Sequence, residues 1–109
     1  MVDYSIVIYR GLTFGPFVVE VLDINGAPYT LTGWFPFAEV KDEPGGTQRM
    51  DLFPEIFETT KIKMQVAFGV TAGVPEGNYY WDLILVTPTG ERLGPFIGGA
   101  AQAKTAITD

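Results

Sequence analysis

The sequence contains no cysteine and no histidine. Without cysteine there are no disulfides, iron–sulfur clusters or thiolate zinc sites. Without histidine the commonest general base and the commonest metal ligand are missing too, which leaves carboxylates, amines, hydroxyls and phenols for any chemistry. Serine occurs once, at Ser5, with no imidazole to activate it, so a serine nucleophile of the usual kind is excluded. Bases are also scarce: seven Lys and Arg against thirteen Asp and Glu give a net charge of −6. The imbalance lies in residues 1–58, where nine acids stand against three bases, while 59–109 holds four of each. An acidic body repels phosphate backbones, so no nucleic-acid partner is expected. No stretch approaches the ~20 apolar residues that span a bilayer, and residues 1–5 lack the basic and apolar regions of a signal peptide. No membrane partner is expected, and synthesis and assembly in the cytoplasm are.

What the sequence does hold is apolar material: 47% hydrophobic and 14% aromatic residues in a chain of 109, the size of one domain, 1–109, with one core. Its 13 glycines and 8 prolines fall between apolar runs, as turns between short strands do. Tyr4 to Tyr9 and Phe17 to Ile24 read as strands, the second closed by the Asn25-Gly26 turn. Thr32 to Val40 is extended, and Pro36 makes it an edge strand or a bulged one. Asp42 to Thr47 reads as a loop. Arg49 to Glu58 fits either an irregular edge strand or one helical turn. Lys61 to Phe68 alternates cleanly. Tyr79 to Val86 follows, with Arg92 to Ile97 as its hairpin partner and Ala101 to Thr108 as a last strand. About seven strands with turn signals every 8 to 12 residues predict an all-β, immunoglobulin-like sandwich of two sheets.

No set of residues stands out as catalytic. A glycosidase needs two carboxylates across a cleft, and no spacing selects a pair among Glu39, Asp42, Glu43, Glu55 and Glu58. Asp23-Ile24-Asn25-Gly26 opens like a calcium loop, yet the last loop position, where a bidentate glutamate belongs, falls on Trp34. Gly94 to Gly99 is glycine-rich but lacks the lysine and hydroxyl of a phosphate loop. No catalytic, cofactor or metal residue is assigned, and the chain is expected not to be an enzyme.

Two other patterns carry more information. Gly77-Asn78-Tyr79-Tyr80-Trp81 has the spacing of a tyrosine corner, in which Tyr79 bonds back to the preceding turn and Trp81 fills the core. Alternation then places Tyr79, Trp81, Leu83 and Leu85 on one face and Tyr80, Asp82, Ile84 and Val86 on the other, a face too apolar to be left in water. The first strand repeats the surplus, with Ile6 and Ile8 opposed to Val7 and Tyr9. Strands apolar on both faces call for a second buried layer, from a partner or from loops of the same chain. Ile6, Ile8, Tyr80, Ile84, Val86, Ala101 and Ala103 are the expected partner interface. The small residues from Gly98 to Ala103 would let a neighbour's backbone approach closely. Trp34, Phe35 and Phe37 form an alternative, a stacking surface for a carbohydrate or a receptor, or part of the core.

The order of features resembles one family. Tyr9-Arg10-Gly11-Leu12-Thr13 precedes a strand, and Asp23 to Gly33 follows it. Thr71, Val74-Pro75, Gly77, Tyr79, Trp81-Asp82-Leu83 and the Thr89-Gly90 turn then lead into a closing strand. Over nearly the full chain this is similar to the N-terminal domain of phage baseplate upper proteins, an immunoglobulin-like virion domain. The resemblance implies a structural role in a bacteriophage particle, with other virion proteins as partners and a homo-oligomer within the assembly. Since members commonly continue into a fibre or receptor-binding region, a chain ending at Asp109 is expected to act as a tail or baseplate adaptor or a capsid decoration protein.

Overall fold

The β-branched and aromatic runs form nine strands in the described part of the chain, residues 2–23, 25–43 and 46–105 of a computed structural model. Ile24 of the second predicted strand, Pro44–Gly45 of the predicted loop and 106–108 of the last predicted strand lie outside the described residues. In chain order the elements are β1 (Val2–Asp3), β2 (Ile6–Arg10), β3 (Phe14–Glu20), β4 (Phe35–Lys41), β5 (Gln48–Asp51), β6 (Glu55–Phe57), β7 (Lys61–Val66), the short α1 (Phe68–Thr71), β8 (Gly77–Val86) and β9 (Arg92–Thr105). They form an all-β sandwich of two sheets. The larger runs β1-β9-β8-β4-β5, with β2 also paired to β9, and the smaller runs β3-β7-β6. The chain passes between the sheets at β2–β3, β3–β4, β5–β6 and the β7–β8 corner.

Alternation sets the core. Ile62, Met64 and Val66 of β7 and Tyr79, Trp81, Leu83 and Leu85 of β8 are buried, facing each other across the sandwich with Val40, Leu31 and Leu52. On the wet face of β7, Lys63 pairs with Glu55 at 3.3 Å. Pro36 is not on an edge strand, because β4 lies between β8 and β5, and the irregularity expected as the alternative falls at Val40–Lys41 in the β4–β5 pairing instead of at Pro36. However, β5 pairs only with Glu39, Val40 and Lys41, so beside Pro36 the β5 side is vacant and no partner carbonyl is deprived of a donor. Arg49 to Glu58 is neither one edge strand nor a helical turn. It divides into β5 in the larger sheet and β6 in the smaller one, and the chain crosses between sheets where Phe53 has a φ of 50°. The two strands predicted after Gly90 are one, β9.

The corner between β7 and β8 is held by side chains. The Tyr79 hydroxyl donates to the Pro75 carbonyl at 2.7 Å. Thr71, fully buried, donates to the Leu12 carbonyl at 2.8 Å and accepts the Gly11 N–H at 3.1 Å. Arg10 Nε donates to the Val74 carbonyl at 2.6 Å. Replacing Tyr79 by phenylalanine keeps the ring and removes one donor. The expected cost is about 1 kcal/mol, seen as a lower midpoint of urea unfolding with the slope unchanged; a midpoint equal to the parent's would mean that the bond adds nothing.

Candidate docking face

The outward surface of the larger sheet follows from its register. Side chains at paired positions share a face, so β4, β8 and β9 lay down transverse rows. At one end Phe35, Val86 and Arg92 are aligned; next come Phe37 and Ile84. Beyond them lies an acidic row of Asp51, Glu39 and Asp82, continued by Gly98 and Asp3. Lys41, Tyr80 and Ala100 form the next row, and Asn78, Gln102 and Val7 the one after it. Phe35 is 59% exposed, Phe37 45% and Tyr80 47%, with Ile84 and Val86 half-buried between them. Phe35, Phe37, Ile84 and Val86 therefore form a contiguous apolar strip open on this face, with Tyr80 beyond the acidic row.

The predicted interface is corrected at four positions. Ile6, Ile8, Ala101 and Ala103 are buried in the chain's own core, where Ile6 pairs with Ala101 and Ile8 with Ala103 in the parallel β2–β9 ladder. The two isoleucines fit over two alanines, while Val7 and Tyr9, each more than a third exposed, turn outward, where a phenol can keep its hydroxyl in water. The small residues of β9 likewise serve the chain itself. A Cβ on Gly98 would lie 2.6 Å from the Trp81 carbonyl oxygen, and one on Gly99 would lie 2.9 Å from that of Tyr4. Tyr80, Ile84 and Val86 do lie on the outer face, joined by Phe35 and Phe37.

The stacking trio is divided in the same way. Alternation sends Phe35 and Phe37 outward, whereas Trp34 packs against the core with its ring 5.4 Å from that of Tyr29. Three aromatics do not share a platform. The acidic row was missed in the sequence because its members come from three strands and meet only through register.

A hollow of about 200 Å³ opens on this face, lined by Tyr80, Pro95 and Gly99 with Glu39, Glu43, Asp82 and Lys41 around it. Among the described residues no group of three or more carboxylates is placed to hold a metal, and no helix is long and apolar enough to cross a membrane. Nearby, Arg49 grips Asp42 with two prongs, at 2.5 and 2.8 Å. That hydrogen bond holds the Asp42 carboxyl below the ordinary carboxylate range and raises Arg49. The pair is on the surface, so it positions the β4–β5 hairpin more than it stabilises the fold. No protein-family model matches the sequence, and no curated protein is found similar to it.

Proposed function

We propose that this chain is a non-enzymatic structural domain of a bacteriophage particle, an adaptor of tail or baseplate or a capsid decoration protein. It keeps its place through protein–protein contacts made by the outer face of the larger sheet. The observation that supports this most is the open apolar strip of Phe35, Phe37, Ile84 and Val86. Interface cores are built from side chains of this kind, aromatic ones above all. A second support is the resemblance of the order of turns and core positions to virion domains of the immunoglobulin type, and repeated copies would be set by the symmetry of the particle.

The test is incorporation. Purified particles are expected to contain the chain in fixed ratio to the major structural proteins. Changing Phe35 and Phe37 together to aspartate, both on the surface, leaves the domain folded and lowers its particle-bound amount by at least about tenfold, because central aromatic anchors carry most of an interface's energy. Particles free of the chain, or equal amounts of variant and parent, would sink the proposal.

A further inference from the structure

We propose that the outer face pairs with a second copy of this chain about a two-fold axis, with Arg92 of each copy seated at the acidic row of the other. The inference rests on the docking reading above and names the occupant of that face. Two features of the register carry it. Arg92 is aligned with Val86, two residues beyond Ile84 on β8, and Asp82 lies two residues before it. A two-fold axis along the Phe37–Ile84 row therefore sets those two residues against their own copies. The same operation carries Arg92 over Gly98, between Asp82 and Asp3 in the acidic row. In an isologous contact the pairing occurs twice, once in each direction.

Glu39 and Asp82 are direct ladder partners, and like charges so placed oppose sheet formation. Among the described residues neither has an ion-pair partner. A planar guanidinium can bridge two carboxylates with its forked donors and lie against the Tyr80 ring, which a lysine ammonium does less well. Of the three arginines, Arg10 is tied to the Val74 carbonyl and Arg49 to Asp42. Arg92 is exposed, on the right face, and in no ion pair among the described residues. The hollow beside the acidic row, about 200 Å³, has room for one side chain and is smaller than the roughly 300–1,000 Å³ of small-molecule sites.

Sedimentation of the purified chain tests this directly. The parent is expected as a dimer at tens of micromolar. Asp82→Arg and Arg92→Glu each oppose like charges across the axis and should each weaken the dimer by at least about tenfold. Mixed in equal amounts, the two variants restore it. Arg92 of the first then meets the unchanged Asp82 and Asp3 of the second, and the acid introduced into the second meets the base introduced into the first. A monomeric parent, a dimer indifferent to both variants, or a mixture that stays monomeric would overturn the inference. Its failure is distinct from that of the docking reading: a monomer that still needs Phe35 and Phe37 to enter particles has a different partner, and a charge-dependent dimer that never enters them has a different function.

Discussion

Replacing Trp81 with alanine is expected to lower the unfolding free energy by about 3–5 kcal/mol, the usual cost of removing a large aromatic ring from a packed core. Trp81 is 3% exposed and closes three elements on one another. Its indole Nε1 donates to the Tyr4 carbonyl at 2.8 Å, tying β8 to the turn between β1 and β2. Its ring meets Phe17 of β3 edge-on, with centroids 6.0 Å apart, and Phe17 in turn lies 5.2 Å from Tyr4. The substitution thus removes buried area, leaves a void between the two sheets and strands the Tyr4 carbonyl. Against the 5–15 kcal/mol that holds a typical domain folded, a loss of about 4 kcal/mol lowers the melting temperature by roughly 20 °C. Trp81→Phe separates the contributions. It keeps much of the ring and loses the donor, so about 1–3 kcal/mol is expected. Urea unfolding followed by circular dichroism measures both, and a Trp81→Ala cost below about 1 kcal/mol would mean that the ring does not bridge the sheets.

The position of Trp81 in the core was legible from the sequence because β8 alternates without interruption and opens on a tyrosine-corner spacing. β7 was legible for the same reason as far as Val66, its lysines and glutamine marking the wet side, but Phe68, in phase with its buried face, opens α1 and is exposed. β2 was not. Ile6 and Ile8 alternate with Val7 and Tyr9, all four apolar enough to bury, and period-two alternation names two faces without saying which is inside. The choice was made by β9, whose alanines at 101 and 103 give the isoleucines room. Arg49 to Glu58 was obscure because its two strands join different sheets, with a backbone reversal at Phe53 where the Asp51 carboxylate accepts the Phe53 N–H at 2.6 Å. A three-residue strand such as β6 shows no measurable period.

The outer face shows the same limit at the level of function. That β8 is apolar on both sides predicted a second buried layer, and Tyr80, Ile84 and Val86 do lie outside the core. The members contributed by β4 depend on pairing: Phe35 opposite Val86, Phe37 opposite Ile84, Glu39 opposite Asp82. Read along the chain, Trp34-Phe35-Pro36-Phe37 is one aromatic cluster. Pleating divides it, giving the core a tryptophan and the surface two phenylalanines. The same register places the aromatic strip beside an acidic row, and this juxtaposition confers polarity on the face, so that the partner we propose for it would present an apolar centre flanked by a base.

Gly98→Ala is expected to destabilise the domain by about 3 kcal/mol, the upper range for forcing one methyl into a filled space. An added Cβ would lie 2.6 Å from the Trp81 carbonyl oxygen and 3.1 Å from the Asp82 Cα. Both are backbone atoms of β8, the strand with which Gly98 is paired, and they can yield only if the ladder moves. Gly69 provides the comparison, since a Cβ there meets nothing within 4 Å. Gly69→Ala should change stability by no more than about 0.5–1 kcal/mol, with a gain expected from the stiffer unfolded chain. Thermal unfolding of the two variants side by side decides the point, and equal melting temperatures would mean that β8 and β9 are not in close approach. The consequence extends to the outer face, because Asp82 is held at its place in the acidic row by the backbone that the new methyl would displace. A Gly98→Ala chain that still folds is therefore expected to lose the charge-dependent pairing in which Arg92 takes part.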